Sequence, residues 1–363
     1  MTASADLTEA LQARVALAVE QRQPLALWGG GTKHFLGRRP AHSEAAPQRL
    51  EIGGHCGIVD YDPAELVLTA RAGTPLVEIE ALLADHGQML GFEPPHFGSG
   101  ATLGGAVACG WSGPRRPFAG SVRDSVLGCR LINGRAEVLS LGGRVMKNVA
   151  GFDLSRLMVG SMGTLGLLLE LSIKVLPRPD CERTLVFPMR AGEALKAMNR
   201  WAGQPWPLTG LAADDSWTWV RLAGTEAALA AVEAALGGDR AVAGANFWQG
   251  LKEQRSRFFS YPPLGGQLWR ISLAPATPPL DLPGHWLYDW GGALRWLRTE
   301  VEPGRVWQAA EQAGGHATRV RGAGPGEAVF QPLPPALGTL HRQVKQALDP
   351  HGLFNPGRLY AAF

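Results

Sequence analysis

Hydrophobic and polar residues alternate along the first half of the chain in patterns that predict both helices and strands. Apolar residues at helical spacing predict an amphipathic helix from Leu7 to Glu20. Shorter apolar runs predict buried strands from Pro24 to Trp28, from Leu66 to Ala72 and from Leu167 to Leu176. This half of the chain therefore combines helices with strands.

Two turn signals refine this picture. Thr74 is the expected N-cap of a second helix, with Pro75 as its first residue, and Gly87 is expected to end it. Asn133-Gly134 lies between two strand-like runs, Val126 to Ile132 and Arg135 to Ser140, which is typical of a β-hairpin. Because hairpins interrupt the alternation of helices and strands, we predict an α+β fold rather than a purely parallel doubly wound sheet.

The composition changes near residue 180. Strands are predicted from Trp217 to Leu222 and from Gln267 to Leu273, with a helix from Glu226 to Leu236, which indicates a second, smaller α+β domain. Ten of the twelve tryptophans lie after residue 200. Tryptophan fills small cores and is also favoured at protein interfaces, so both interpretations stay open.

The chain of 363 residues is longer than one core usually organises, so two domains are expected. A net charge of +3 without a basic, aromatic-rich cluster predicts no nucleic-acid partner. The N-terminus has no signal-peptide core, and no apolar run is long enough to span a bilayer. The cysteines lack C-x-x-C spacing, so we expect free thiols, a cytoplasmic protein and no iron–sulfur cluster in this chain.

Glycine is concentrated in two places. Residues 98–113, the second glycine stretch, contain six glycines in sixteen positions, and Gly29 to Lys33 form a shorter first glycine loop. Glycine permits positive φ and close approach of a ligand, and successive backbone N–H groups make an anion site. We therefore expect one extended cofactor with a phosphate or diphosphate, held at two points. Two tight surface turns are the alternative.

Other familiar sites are not present in the sequence. The spacing after Gly98-Ser99-Gly100 is one residue too long for a Rossmann G-x-G-x-x-G string, and no P-loop string occurs. The histidines have no paired-ligand spacing, so no metal site is expected. No G-x-S-x-G elbow for acyl transfer is found.

Five short motifs, in order, resemble those of the vanillyl-alcohol-oxidase type (PCMH-type) flavoproteins. They are Gly29-Gly30-Gly31-Thr32-Lys33, Thr102-Leu103-Gly104-Gly105 with Gly110 and Gly113, Gly151-Phe152-Asp153-Leu154, Gly160 to Gly166, and Asn355-Pro356-Gly357. Within this family, the chain length and the tryptophan-rich middle segment are most similar to those of the shorter flavin-binding subunit of bacterial glycolate oxidase, also called glycolate dehydrogenase.

The resemblance implies a two-subdomain FAD-binding domain over residues 1–179, a short cap domain over 180–335, and a C-terminal tail over 336–363 that returns to the flavin. By position, it implies that FAD contacts Gly29, Gly30, Gly31, Thr32, Lys33, Ser99, Ala101, Thr102, Leu103, Gly104, Gly105, Gly110, Gly113, Gly163, Thr164, Gly166, Leu167 and Asn355. Lys33 stands where some members carry the His or Cys that attaches FAD covalently, so non-covalent FAD is expected. Replacing Gly104 by Asp is expected to abolish FAD retention and leave the chain folded.

The resemblance leaves three functions open. The first is an FAD-binding subunit of a complex that oxidises glycolate to glyoxylate, with a larger homologous flavin subunit and an iron–sulfur subunit, either cytoplasmic or peripheral at the inner membrane. The second is a self-sufficient oxidase of an alcohol or hydroxy acid, with Arg270, Ser272 and Asn355 as candidate catalytic residues. The third is a structural FAD-binding subunit without turnover. Because the cap lacks the family's His-rich metal motif, the resemblance supports FAD binding more fully than a complete substrate site.

Overall fold

A computed structural model describes residues 4–41, 46–143, 153–260 and 266–363. Its α-helices are α1 (Thr8–Gln21), α2 (Leu76–Asp85), α3 (Leu103–Cys109), α4 (Arg116–Ala119), α5 (Val122–Ser125), α6 (Leu154–Leu157), α7 (Ala191–Ala202), α8 (Glu226–Leu236), α9 (Gly244–Lys252), α10 (Arg257–Ser260), α11 (Pro303–Gln312) and α12 (Pro335–Leu348). A short 3₁₀ helix covers Trp290–Gly292. The mixture of helices and antiparallel sheets confirms the predicted α+β class.

The strands complete this inventory. In chain order they are β1 (Leu25–Trp28), β2 (Gln48–Glu51), β3 (Ile58–Asp62), β4 (Val67–Arg71), β5 (Gln88–Met89), β6 (Val126–Ile132), β7 (Val138–Gly142), β8 (Leu167–Lys174), β9 (Leu176–Pro177), β10 (Cys181–Pro188), β11 (Leu208–Ala213), β12 (Trp217–Gly224), β13 (Asp239–Arg240), β14 (Gln267–Ser272), β15 (His285–Asp289), β16 (Leu294–Thr299) and β17 (His316–Arg321).

The described chain divides into two units. The first comprises residues 1–111, 121–177 and 324–363, and the second comprises 112–120 and 178–323. This division differs from the expected boundaries in three segments, residues 112–120, 178–179 and 324–335. Residues 112–120 belong to the second unit because Trp290 Nε1 donates to the Gly113 carbonyl at 3.0 Å. Residues 324–335 belong to the first unit, where Arg38 donates to the Gly326 carbonyl at 2.9 Å.

The first unit is built on a five-stranded antiparallel sheet in the order β3-β4-β8-β6-β7. Strand β8 is central and buried at seven of its eight positions, as its apolar sequence predicts. Strands β1 and β2 form a separate parallel pair. At the other edge of β1, Phe354 of the C-terminal tail makes a parallel bridge to Leu25. The tail therefore returns to the first unit.

The second unit contains an eight-stranded antiparallel sheet in the order β13-β10-β12-β11-β15-β16-β14-β17. Six of its tryptophans are buried, which confirms the core interpretation for them: Trp201, Trp248, Trp269, Trp286, Trp290 and Trp296. Trp217 is 44% exposed, so it does not contribute to that core.

One local expectation is wrong, and a second is right in its pairing but not in its bounds. Thr74 does not cap α2, because its hydroxyl accepts from the Gly57 N–H and donates to the Gly57 carbonyl. Pro75 is the N-cap instead. Strands β6 and β7 pair as the predicted hairpin, but their connection is wider than an Asn-Gly turn. Asn133 Oδ1 accepts from the N–H groups of Arg135 and Glu137, and β7 begins only at Val138.

Candidate functional site

A cavity of about 270 Å³ lies in the first unit, and both glycine motifs contribute to it. Of the predicted cofactor contacts, it is lined by Gly29, Gly30, Gly31, Thr32, Lys33, Thr102, Gly104, Gly105, Gly163, Gly166 and Asn355. Four segments that are distant in sequence therefore meet at one site. Residues of both glycine motifs therefore line one concave surface.

The first glycine loop and the second glycine stretch touch each other directly. A Cβ atom added to Gly30 would lie 1.5 Å from the Gly100 carbonyl oxygen, a distance that no side chain tolerates. A Cβ on Gly29 would lie 2.9 Å from Thr102 Oγ1. Glycine is thus required at these positions by the contact between the loops themselves, and the same contact shapes the cavity wall.

The first glycine loop carries backbone donors that the protein itself does not use. Within the described residues, the N–H groups of Gly29, Gly30, Gly31 and Thr32 donate to no protein acceptor. The loop is closed only at its end, where the His34 N–H donates to the Gly31 carbonyl at 3.1 Å. Unpaired, consecutive N–H groups beside a cavity are the feature expected of an anion site.

The second glycine stretch is different, because most of its predicted donors are occupied. Leu103 N donates to the Thr74 carbonyl, Gly104 N to the Ala72 carbonyl at 2.8 Å, and Gly105 N to Thr102 Oγ1 at 3.2 Å. Thr102 is the N-cap of α3, and Gly104 packs against Ala72. The expectation that the amides of both loops clamp the ligand is therefore wrong for these residues, which set the position of the wall.

Two cations line the cavity. Lys33 is buried and donates to the His96 carbonyl, and Arg358 donates to the His34 carbonyl at 2.7 Å. No aspartate or glutamate lines it among the described residues. Two positive charges, with no carboxylate among the described lining residues, favour an anionic ligand over a neutral or cationic one.

Burial and these cations shift the pKa values of two titratable groups that line the cavity, His34 and Cys109. Burial lowers the pKa of His34, and the charges of Arg358, Arg49 and Arg39 lower it further, so the imidazole is neutral near pH 7. Burial raises the pKa of the Cys109 thiol despite Lys33 and Arg358, so it is protonated there. The cavity therefore presents fixed cations and no reactive nucleophile at Cys109.

The tail contributes Asn355 to the cavity wall. Asn355 Oδ1 accepts from Leu27 N at 2.8 Å, and its Nδ2 donates to the Met162 carbonyl at 2.7 Å. A Cβ on Gly163 would lie 2.8 Å from that Nδ2. Because both ends of the Asn355 amide already join protein segments, its geometry supports a positioning role better than a catalytic one.

The remaining predicted contacts do not line this cavity. They are Ser99, Ala101, Leu103, Gly110, Gly113, Thr164 and Leu167. Ala101, Leu103 and Leu167 are buried in the hydrophobic core of the first unit. Gly110 is the left-handed C-cap of α3. Gly113 lies in the second unit, and the predicted motif residues Gly151 and Phe152 lie outside the described residues.

Sequence reasoning missed several lining residues, among them Trp28, Cys109, Met162 and Arg358. Trp28 directly precedes the first glycine loop, and its ring lies 3.9 Å from the Arg49 guanidinium and 4.5 Å from the His34 ring. Arg358 directly follows the Asn355-Pro356-Gly357 motif. In both cases the sequence showed only that the residue is next to a motif. It did not show whether the side chain faces the cavity.

The candidates Arg270 and Ser272 lie on β14 of the second unit, on one face because they are two residues apart. The Arg270 guanidinium is 5.1 Å from the Trp290 ring centroid, and that of Arg116 is 4.3 Å from it. Burial, and secondly Arg116, lower the pKa of Arg270 to about 10. Both residues remain candidates for an anion-binding role in this unit.

Three further expectations concern the described part of the chain. The four cysteines, Cys56, Cys109, Cys129 and Cys181, are free, as predicted. Within the described ranges, no group of three or more His, Cys, Asp or Glu side chains is placed to hold a metal ion. None of the helices described is both long enough and apolar enough to cross a bilayer.

Comparison with known proteins gives this architecture a family. Residues 2–142 match the family model described as FAD binding domain. The chain is 51% identical over 361 residues to the glycolate oxidase subunit GlcE of Escherichia coli (strain K12), covering 99% of each protein. It is 29% identical over 180 residues to the glycolate oxidase subunit GlcD of Bacillus subtilis (strain 168), covering 49% of this chain and 37% of that protein.

Among solved structures, an alkyldihydroxyacetonephosphate synthase superposes with a TM-score of 0.65 and 16% identity, over 96% of this chain and 74% of the other. At that identity the likeness shows the fold alone. The near-complete, 51% identical match to GlcE decides the family. This chain belongs to the GlcE family of flavoproteins with a PCMH-type FAD-binding domain.

Proposed function

We propose that this chain is the FAD-binding subunit of a glycolate oxidase complex, which oxidises the 2-hydroxy acid glycolate to glyoxylate and passes the electrons on through flavin. The observation that carries the proposal is the 51% identity to GlcE over 99% of both chains. The cationic cavity of the first unit supports it, because a flavin dinucleotide contains a diphosphate that needs such a site.

The residues of the cavity fit a diphosphate in charge and in hydrogen bonding. The N–H groups of Gly29, Gly30, Gly31 and Thr32, which donate to no acceptor among the described residues, supply neutral donors. Lys33 and Arg358 supply positive charge, and hydrogen bonds between charged groups are about twice as strong as neutral ones. We assign the diphosphate to this part of the cavity wall. These contacts would hold FAD without a covalent bond.

The second glycine stretch and the tail complete the proposed FAD site by shape. Thr102, Gly104 and Gly105 hold α3 against the first glycine loop, and Gly163, Gly166 and Asn355 form the wall nearer the tail. The cavity of about 270 Å³ is slightly smaller than typical ligand pockets, so we assign to it the diphosphate and its neighbouring groups rather than the whole cofactor.

FAD would supply the two-electron acceptor for a CH–OH donor, and the protein would supply binding and orientation. In this division of work, the chain's residues hold the diphosphate beside two cations, and burial keeps Cys109 protonated. These contributions fix the cofactor without a covalent bond to the protein.

We infer that the complex also contains a larger homologous flavin subunit and an iron–sulfur subunit. The similarity of this chain to GlcD over 180 residues supports the first partner. An electron path out of the flavin requires an acceptor such as the second. The proposed location is the cytoplasm, or the inner membrane surface through those partners.

A self-sufficient oxidase is the second candidate function. The observation that favours it is the pair of guanidinium groups, Arg116 and Arg270, that flank the Trp290 ring within the second unit. Arginine binds carboxylates bidentately, so a hydroxy acid is a suitable ligand for this pair.

Anaerobic mixing of the purified, FAD-loaded chain with glycolate separates these functions. If the subunit proposal is correct, the flavin absorbance of the isolated chain stays unchanged and bleaches when the partner subunits are present. Bleaching of the isolated chain supports the self-sufficient oxidase. An Arg358→Met complex that has lost this chain's FAD and keeps full activity shows a structural subunit instead, while Arg342→Met, which alters an exposed arginine of α12, serves as the control.

A further inference from the structure

A buried ion pair lies next to the cavity and does not line it. Lys345 on α12 and Asp349 just after it are 6% and 1% exposed, and Lys345 Nζ lies 2.6 Å from Asp349 Oδ2. Burying two charges carries a large desolvation penalty, which is offset only when the remaining donors and acceptors are also bonded. The other partners of the pair therefore indicate what it holds in place.

Every donor of the Lys345 ammonium is used. Besides Asp349, it donates to the Thr164 carbonyl at 2.7 Å and to the Phe354 carbonyl at 3.0 Å. Asp349 in turn accepts from Leu353 N at 3.0 Å through Oδ1 and from Phe354 N at 2.8 Å through Oδ2. Two side chains thus connect the loop at Thr164 with the turn at Leu353 and Phe354.

Both connected segments lead directly into the cavity wall. Phe354 precedes Asn355, whose amide bridges Leu27 and Met162. Thr164 follows Gly163, which contacts the same amide so closely that it has no room for a Cβ atom. A shift at either end of the ion pair would therefore displace a cavity-lining residue that is directly adjacent along the chain.

A role in stability alone would not require these charges, because apolar side chains of similar volume often replace a buried ion pair without loss of stability. An ammonium with three directed bonds specifies the separation between two carbonyls, which apolar packing does not. We propose that Lys345 and Asp349 are positioning residues that set the tail and the 162–164 loop for FAD binding. This rests on the proposed function of the chain as an FAD-binding subunit.

The test is the dissociation constant of FAD, measured by fluorescence titration of folded apoprotein. The double variant Lys345→Met with Asp349→Leu removes both charges together and leaves none unpaired. We expect it to unfold within a few degrees of wild type and to bind FAD about ten-fold more weakly or worse. Arg342→Met removes a cation from the exposed side of the same helix and is expected to leave the constant unchanged.

Asp349→Asn, which is nearly isosteric, repeats the test if the double variant does not fold, with a smaller rise expected in the same direction. A folded variant that binds FAD as tightly as wild type overturns the positioning role and leaves the proposed function intact. Wild-type apoprotein that binds no FAD overturns the proposed function and this proposal together.

Discussion

At the scale of single residues, glycine has two different roles around the cavity. Gly104 is buried, its N–H is bonded to the Ala72 carbonyl, and a Cβ atom there would lie 2.7 Å from the Ala72 Cβ. The expectation that Gly104→Asp spares the fold is therefore wrong, because the side chain would have to enter the core. Gly30 is exposed and meets the second glycine stretch directly.

Gly30→Ala tests the proposed FAD site more directly than Gly104→Asp. We expect it to abolish FAD retention, because the new Cβ would lie 1.5 Å from the Gly100 carbonyl and push the two loops apart. Gly87→Ala is the matched control: Gly87 has φ +64° and open space around it, so the change strains the backbone and touches nothing. Flavin content after purification and thermal unfolding of both variants measure this. Equal FAD retention in the two variants would contradict the loop contact.

His55 gives the first unit a pH-dependent stability. It is fully buried, and its Nδ1 accepts from the Leu7 N–H at 3.0 Å, a bond that only the neutral ring can accept. Burial lowers the pKa of His55 below 6.5, and Arg71 adds to this, while Asp6 and Glu170 raise it. The unfolded chain therefore binds more protons below about pH 6.5, and stability is lost as the pH falls from there.

We expect urea unfolding to give a lower free energy of unfolding at pH 5 than at pH 8. His55→Asn, whose Oδ1 can accept the Leu7 N–H without titrating, should reduce this slope. His34 and His316 also have lowered pKa values through burial, so part of the slope should remain. His351→Gln, at an exposed position, should keep the wild-type slope, and a His55→Asn slope equal to it would refute the assignment.

At the scale of elements, the short helix α3 connects the sheet to the cavity. Thr102 caps it through Gly105, and Gly104 in its first turn packs on Ala72, which directly follows β4. The same Thr102 hydroxyl faces Gly29 of the first glycine loop. The start of α3 therefore fixes the position of the two glycine motifs relative to each other.

Thr102→Val tests this connection. We expect a loss of about 1 kcal/mol in stability from the missing cap, together with weaker FAD binding. Thr225→Val is the matched control, since Thr225 caps α8 of the second unit by accepting from Ala228 N. Both variants should lose similar stability in chemical unfolding, and only Thr102→Val should raise the FAD dissociation constant. Weakened FAD binding in Thr225→Val would show that the effect is not local.

At the scale of the whole molecule, the cavity is assembled from chain segments more than 300 positions apart. Trp28 and the first glycine loop come from the start, and Asn355 and Arg358 from the tail. The tail reaches them because Phe354 pairs beside Leu25 at the open edge of β1. The first unit is thus discontinuous in sequence and continuous in space.

We therefore expect FAD to protect several distant segments together in hydrogen–deuterium exchange. At a hundred-fold excess over the dissociation constant, binding adds about 2.7 kcal/mol to the stability of the folded state. Slower exchange is expected at once in residues 25–36, 98–109, 160–168 and 353–358. Adenosine diphosphate, which carries the diphosphate without the flavin, should protect the first of these segments as well. Protection confined to residues 98–109 would contradict the assembled site.

The amino-acid sequence by itself determined the local elements and the identity of the family's motifs. The strand β8, the helix α8 and the two glycine motifs follow from periodicity and composition, because these depend on neighbours along the chain. Only the tertiary structure decided that the amides of Gly104 and Gly105 are occupied, whereas those of Gly29 to Thr32 donate to no acceptor in the described parts of the chain. It also showed that Arg358 lines the cavity and that Lys345 and Asp349 form a buried ion pair next to it. Hydrogen-bond partners and charges are set by residues distant in sequence, and their directions arise only when the chain is folded.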